Sequence, residues 1–157
     1  MKKLALVLFY VLASTAQAQS IQTGLNMEGD FEKVSPIVIN GYKNRKSCQA
    51  DKGRWINRQC VFSGASSQVS ISKNSESTYQ VTIQHVGHNA HTCDFQGTAV
   101  ALNQVQLVSR VDACEITVGF TSPTTLAIMN NGQCADHCGA NMDLSISDVR
   151  RVSRLTN

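Results

Sequence analysis

Apolar and polar residues alternate with a period of two along most of the chain from residue 61 onward, which is typical of half-buried β-strands. The clearest case is 78–86, where Tyr79, Val81, Ile83 and His85 share one face. The same alternation predicts further strands at 67–72, 92–102, 105–111, 115–120 and 125–129, and a last strand that carries Met142, Leu144 and Ile146.

Turn residues separate these runs at short intervals, with Pro123 in one turn and Asn130, Asn131 and Gly132 in another. Short strands at this spacing favour an all-β fold: a small antiparallel meander closed into a barrel or sandwich of about seven to eight strands. We expect its core to contain these inward-facing residues: Val69, Ile71, Val81, Ile83, Ile116, Val118, Leu126, Ile128, Leu144 and Ile146.

The N-terminus has the pattern of a secretory signal peptide. Lys2 and Lys3 precede an apolar run at 4–13, and Ala16-Gln17-Ala18 is a typical cleavage site. The run is too short to span a membrane as a helix, which needs about 20 apolar residues. We therefore expect residues 1–18 to be removed, and the protein to be exported to the bacterial periplasm or secreted, without a membrane anchor.

The remaining chain divides by composition into three parts. Residues 19–47 predict a weakly structured N-terminal segment, in which 31–39 supplies either one early strand or a strap across the core; Pro36 argues against a central strand there. Residues 48–150 form the predicted single disulfide-stabilised β domain, and 151–157 a polar, basic tail. Without the two lysines of 1–18 the chain has 12 cations against 11 acids, so its net charge gives no reason to expect a nucleic-acid partner.

All six cysteines lie after residue 18, and an even number of cysteines in an exported chain indicates disulfides. Cys48 and Cys60 bound a short, self-contained loop. If Asn103-Gln104 is a two-residue hairpin turn, Cys93 and Cys114 lie opposite each other, although a bulge near Asp112 would shift this register by one residue. The local scheme that we predict is 48–60, 93–114 and 134–138.

The histidines offer an alternative to this disulfide scheme. His85, His88 and His91 are spaced three residues apart, and His137 lies between Cys134 and Cys138, so these side chains contain the atoms of a zinc site. Exported cysteines usually oxidise, however, and no Cys-x2-Cys pair is present. We therefore assign no metal and no cofactor, and regard His85 as a half-buried strand residue and His88 and His91 as solvated loop residues.

Motifs of catalysis are absent from the sequence. It contains no G-x-S-x-G, no H-E-x-x-H and no phosphate-binding G-x-x-x-x-G-K. Scattered serine, histidine and aspartate residues form a triad on paper in any chain of this size. We therefore expect that the protein is not an enzyme.

A resemblance to known proteins enters through the cysteine-containing strands. The pattern Cys93-x-Phe95-x-Gly97, Cys114-x-Ile116-x-Val118 and Cys134-x3-Cys138-Gly139 resembles small exported bacterial β-domain proteins, some of which are grouped with lysozyme inhibitors. It covers roughly residues 93–146. In periplasmic inhibitors of C-type lysozyme, a Ser-Gly-x-Lys-Tyr loop enters the lysozyme cleft; here Ser63 and Gly64 match that loop, and Ser66 and Ser67 replace its Lys and Tyr.

These features predict an exported, non-catalytic binding or inhibitory module directed at a cell-wall hydrolase such as lysozyme. The alternatives are a structural or envelope-associated protein and, third, a histidine-mediated metal binder. The candidate partner-binding residues are Trp55, Ser63, Gly64 and Tyr79. Trp55, the only tryptophan, is either an exposed anchor for a partner or a plug that packs its loop onto the barrel end. The sequence leaves the oligomeric state open.

Overall fold

The computed structural model describes residues 25–139 and 142–152. Within them, the strands are β1 (Gly29–Ile39), β2 (Arg54–Ile56), β3 (Gln59–Lys73), β4 (Thr78–Val86), β5 (Thr92–Asn103), β6 (Gln106–Val111), β7 (Cys114–Ser122), β8 (Thr125–Asn130) and β9 (Ile146–Arg151). One short α-helix, α1 (Arg45–Ala50), lies between β1 and β2. Single 3-10 turns occur at His88–Ala90 and Ala135–His137.

Strands β3 to β9 follow one another as an antiparallel meander, each paired with the next. Strand β1 pairs with β9 on one side and with β3 on the other, which closes eight strands into a barrel. The ninth strand, β2, pairs only with β3. The prediction of a small, antiparallel, disulfide-stapled barrel is confirmed.

Alternation along the strands directs one set of side chains into the barrel. All ten predicted core residues are buried. The structure adds larger inward side chains that the prediction omitted, among them Phe31, Phe95, Leu107 and Val149, none more than 2% exposed. The barrel interior is thus a packed apolar core.

Strand β1 corrects the assignment of residues 19–47 to a weakly structured segment. Gly29–Ile39 is a full barrel strand, so the β domain begins well before residue 48. Pro36 is accommodated because the ladder with β3 shifts there: Ser35 faces Ala65, whereas Ile37 faces Phe62. Two residues of β3, Ser63 and Gly64, therefore oppose Pro36 in a β-bulge, where no ladder hydrogen bond from a proline nitrogen is required.

The last strand was also placed too early. Residues 142–145 precede β9, which runs to Arg151 and thus includes the first residue of the predicted tail. Asp148 has a positive φ of 56°, which interrupts the alternation, so that Ile146 and Val149 both face inward. A strict period of two missed Val149 for this reason. The predicted signal peptide and residues 153–157 lie outside the described residues.

All six cysteines form disulfides, but only one predicted pair is correct. Cys48 bonds Cys60 as expected, whereas the other bonds join Cys93 to Cys138 and Cys114 to Cys134. The predicted pairs 93–114 and 134–138 are wrong because the chain reverses at Asp112 and Ala113, so that Val111 faces Cys114. Cys114 therefore begins β7, which pairs with β6 and β8 and not with β5.

The β5–β6 register contributed to that error. Its turn is Gln104-Val105 and not Asn103-Gln104, because Asn103 faces Gln106 across the hairpin. The Asn103 side chain stabilises this turn: its Oδ1 accepts the Val105 N–H at 2.9 Å, and its Nδ2 donates to Gln106 at 2.8 Å. Asparagine acts here as the residue before the turn rather than within it.

Candidate functional site

Because the barrel interior is occupied by side chains, a binding site has to lie on its outside or at its ends. The ladder of β3 with β4 begins at Gln68, which faces Gln84, and β4 ends two residues later at Val86. The earlier part of β3 therefore continues past the end of β4, with β1 on one side and β2 on the other. We call residues 42–60, which lie at the far end of this extension, the stapled tip.

Local interactions define the tip's conformation. Asn44 caps α1, its Oδ1 accepting the Ser47 N–H at 3.0 Å. The Cys48–Cys60 disulfide ties α1 to β3. Gly53 lies against this bond, and a Cβ at that position would collide with both sulfur atoms. The sequence therefore requires glycine at residue 53 for the helix and the strand to approach this closely.

The β2–β3 hairpin completes the tip. Asn57 and Arg58 form its two-residue turn with φ angles of 48° and 64°. Positive φ at both turn positions matches the right-handed twist of the flanking strands. Trp55 faces Cys60 across this hairpin and is half-buried, and Ile56 next to it is 43% exposed.

Tyr42 connects the tip to the extended strands. Its ring lies 5.9 Å from that of Phe62, centroid to centroid, and its hydroxyl donates to Asp51 at 2.7 Å. This hydrogen bond, with smaller contributions from desolvation and from the charge of Asp51, raises the pKa of Tyr42 above its ordinary value. Asp51, the only carboxylate of the tip, is thus engaged within the tip itself.

Charge is strongly segregated between the tip and the barrel. The tip has six cations against one carboxylate, a formal charge of +5. The rest of residues 25–139 and 142–152 has five cations against ten carboxylates, a formal charge of −5. All six tip cations are exposed: Lys43, Arg45, Lys46, Lys52, Arg54 and Arg58. The described part of the chain is therefore neutral in sum but strongly polarised.

The sequence prediction missed this surface because it counted charge over the whole chain. A count by segment finds it at once, since six cations fall within residues 43–58. The disulfide pair that bounds the segment, which was predicted correctly, is the signal that these charges share one small folded unit.

The four predicted partner-binding residues are not brought to one face. Trp55 lies in the tip, whereas Ser63 and Gly64 lie in the bulge of β3 and not in a flexible loop. Gly64 lies close against β1: a Cβ there would collide with Val34 and approach the Ser35 carbonyl oxygen to 3.4 Å. Tyr79 is only 7% exposed and belongs to the core, at the opposite end of β4 from the tip.

The three histidines whose side chains the structure describes contact different partners. His137 packs on Phe95 with 5.2 Å between ring centroids, His91 lies against Gly139, and His85 bonds Ser67. The side chain of His88 is outside what the structure describes. Cys134 and Cys138 are oxidised, so they offer no thiolate to a metal. No group of three or more His, Cys, Asp or Glu side chains within the described residues is arranged to hold a metal ion.

The Ser67–His85 pair has the distance of a nucleophile and its base but not the exposure. Ser67 Oγ lies 2.8 Å from His85 Nδ1, and it also accepts the Val86 N–H at 3.4 Å. Ser67 is 1% exposed, so a substrate cannot reach it in this conformation. Desolvation, and then the charge of Lys33, lower the pKa of His85, while Asp143 acts in the opposite direction. The serine hydroxyl therefore orients a neutral imidazole.

Another surface feature is an apolar row on the outside of the barrel. Val100 faces Val108 across the β5–β6 ladder, and Thr117 faces Met129 across the β7–β8 ladder. Val100 and Met129 are each 52% exposed. An ion pair between Arg110 and Glu115 borders this row. Arg110 is thus already paired, whereas no ion pair within the described residues involves a cation of the tip.

Comparison with known proteins identifies no relative: no family model, no curated protein and no solved structure matches this chain. The described residues include no helix of the length and apolar character needed to cross a membrane. Three disulfides indicate an oxidising compartment, as is typical of exported proteins. The stapled tip is the most basic segment of the described chain.

Proposed function

We propose that this chain is an exported, non-catalytic binding or inhibitory module whose stapled tip docks into an acidic cleft of a partner protein. The observation that carries the proposal is the segregation of charge, +5 on the tip against −5 on the rest of the described chain. Such a distribution steers one end of the molecule towards a negative surface and turns the other end away from it.

A cell-wall hydrolase is the partner class that best fits this tip. Glycoside hydrolases carry a pair of Asp or Glu residues in their substrate cleft, and a cationic element that enters the cleft would neutralise them. Trp55 and Ile56 add apolar surface beside the cations. Aromatic and arginine side chains are the residues that most often dominate binding energy at protein interfaces.

The tip also supplies cations, which are absent from the segment of this chain that resembles the inhibitory loop of lysozyme inhibitors. At residues 66 and 67 this chain has serines in place of the lysine and tyrosine of the inhibitory loop. In our proposal the cations act from the tip instead, and the disulfide-bonded frame keeps them in place before binding, which lowers the entropic cost of docking. The predicted N-terminal leader and the three disulfides support export to the bacterial periplasm or secretion.

The test uses the mature, oxidised protein against a panel of muramidases that includes a C-type lysozyme. We expect inhibition of cell-wall hydrolysis and direct binding in an immobilised-partner assay. A variant carrying Lys43→Glu, Lys46→Glu and Arg54→Glu changes the formal tip charge from +5 to −1. We expect it to associate at least about tenfold more slowly, because steering by charge contributes a factor of this size or more.

The matched control is Lys73→Glu with Arg150→Glu, two exposed cations on the barrel. Their reversal should leave binding within about twofold of the wild type, because the barrel does not enter the cleft in this proposal. Equal losses from both variants would contradict docking through the tip. Absence of inhibition across the whole panel would remove the hydrolase as the partner class.

A further inference from the structure

The barrel has an open seam between β1 and β9, separate from the stapled tip. These strands pair only where Phe31 faces Arg151 and Glu32 faces Arg150. Past Glu32, β1 continues to Ile39 with β3 as its only partner among the described strands. The seam cleft that results has a volume of about 260 Å³. Its lining residues are Lys33, Ser35, Pro36, Val38, His85, Val86, Gly87, Ser145, Ile146 and Ser147.

Hydrogen-bond donors from three strands line the seam cleft. Lys33 faces Ser67 across the β1–β3 ladder, and Ser67 in turn bonds His85 on β4. The Lys33 ammonium also reaches Ser147 Oγ at 3.5 Å, across the seam. Lys33 and His85 thus lie on either side of Ser67 in one row across the barrel end, and both side chains are half-buried.

The buried hydroxyl of Ser67 determines which imidazole nitrogen carries the proton. Ser67 Oγ already accepts the Val86 N–H, and His85 Nδ1 is its remaining hydrogen-bond partner in the structure. A buried hydroxyl hydrogen needs an acceptor, so Ser67 donates to Nδ1 and the neutral ring carries its proton on Nε2. His85 and Gly87 both line the cleft, and the thioether of Met142 lies beside them, next to Gly87.

The seam cleft is also lined by apolar side chains of the same three strands, Pro36, Val38, Val86 and Ile146. A cation and a neutral N–H donor next to a hydrocarbon wall match a small molecule that has an anionic head and an apolar tail. The volume of about 260 Å³ limits the ligand to a few carbon atoms beyond that head.

We propose that the seam cleft binds a small organic carboxylate. Its oxygens receive hydrogen bonds from the Lys33 ammonium and from His85 Nε2, and its hydrocarbon part lies on Val38 and Val86. The site is independent of the proposed function, since none of its residues belongs to the stapled tip.

Carboxylate binding at this place is linked to protonation. Of the charged groups near His85, Lys33 lowers its pKa and Asp143 raises it. A bound carboxylate beside the imidazole favours the imidazolium, so binding raises the pKa of His85. By linkage, the affinity for the carboxylate increases as the pH falls from 7 towards 5.

The experiment is an NMR titration of the mature, oxidised protein with sodium butyrate, butyramide and inorganic phosphate. We expect butyrate to shift the His85 and Ser147 resonances with a Kd of about 5 mM, a reasonable affinity for six heavy atoms. The NMR-derived pKa of His85 should rise with butyrate. Butyramide, which has the same size without the charge, should not saturate, and phosphate should bind more weakly.

Variants locate the effect in the protein. We expect Lys33→Gln to weaken butyrate at least about tenfold, because it removes a charge-assisted hydrogen bond, whereas Lys73→Gln leaves the Kd unchanged. Since Lys33→Gln can perturb the fold, the His85 pKa without ligand serves as a second readout: removal of the Lys33 charge should raise it.

Butyramide binding as tightly as butyrate, phosphate binding more tightly than butyrate, or an unchanged Kd in Lys33→Gln would each overturn the proposal. The tip variant Lys43→Glu, Lys46→Glu, Arg54→Glu separates this site from the docking surface. It should associate at least about tenfold more slowly with the muramidase and keep butyrate binding, so failure of one proposal does not imply failure of the other.

Discussion

The stapled tip and the barrel body reach stable structures by different means. The barrel buries a contiguous apolar cluster that extends from Phe31 to Val149. Among the apolar side chains of the tip, residues 42–60, only the bonded pair Cys48 and Cys60 is buried. It relies on a crosslink, a helix cap and a two-residue turn, interactions that leave most of its side chains on the surface.

The barrel is therefore a scaffold whose side chains are fixed by packing, whereas the tip is a surface whose side chains can vary. A residue whose side chain is in solvent can be changed without loss of packing, so a crosslinked unit can carry six exposed cations that a barrel strand with an inward face cannot.

The largest effect should come from removing an aromatic ring of the barrel core. Phe95 is 2% exposed and packs against His137, so we expect Phe95→Ala to lower the free energy of unfolding by about 3–5 kcal/mol. Trp55→Ala, in the tip, should cost less than half as much because that side chain is half-buried. Urea denaturation measures both. Equal losses would contradict the distinction.

The tip crosslink should have the next largest effect, and a local one. The Cys48–Cys60 bond should stabilise the folded tip by about 3 kcal/mol, because it closes a short loop. Replacing both cysteines with serine should therefore speed amide exchange in residues 42–60 by about a hundredfold. Barrel amides should change by less than about twofold. The comparison is the double variant Cys114→Ser with Cys134→Ser. It removes the disulfide that links β7 to the segment after β8, and it should destabilise the whole barrel. Exchange that rises equally everywhere in the first variant would show that the tip is not a separate unit.

A smaller effect is expected at the bulge, where β3 leaves the barrel. A Cβ at Gly64 would collide with Val34, so Gly64→Ala should cost about 1 kcal/mol. Gly119→Ala in β7 is the matched control, because nothing lies within 4 Å of its Cβ position. We expect that control to be neutral or slightly stabilising, as judged by thermal unfolding. A neutral Gly64→Ala would mean that the two strands can separate at the bulge without cost.

The smallest effect concerns pH. The folded-state pKa of His85 is below its ordinary value of 6.5, chiefly through desolvation. The stability that a neutral His85 contributes is therefore complete above about pH 6.5 and is lost as the pH falls through the lowered folded-state pKa. His85→Gln should flatten the decline in stability between pH 7 and 5, measured by urea denaturation. An identical pH profile in the variant would contradict the assignment of a neutral, desolvated ring.

Sequence alone predicted the barrel because its strands are amphipathic and local. Alternation at residues 78–86 gave the bounds of β4 correctly. The errors arose where backbone geometry interrupts the period, at Asp148 in β9 and at the bulge opposite Pro36, since a two-residue pattern cannot indicate an inserted residue. The disulfides 93–138 and 114–134 join segments distant in sequence, and strand alternation does not determine such pairs.

The candidate sites were less predictable than the fold. The cations of the tip are visible in the sequence, but their exposure on a crosslinked helix and hairpin becomes apparent only in the structure. The seam cleft has no signature at all, because Lys33, His85 and Ser147 come from three distant strands. Their proximity depends on where β1 stops pairing with β9, a property of barrel closure.

The most direct test of docking through the tip is to measure how the rate of association with a muramidase that this protein inhibits depends on ionic strength. We expect the wild-type rate to fall steeply as salt increases from low to physiological concentration, because screening removes the attraction of the +5 tip. The Lys43→Glu, Lys46→Glu, Arg54→Glu variant should lose that slope. A wild-type rate independent of salt, or an equal slope in the variant, would contradict the account.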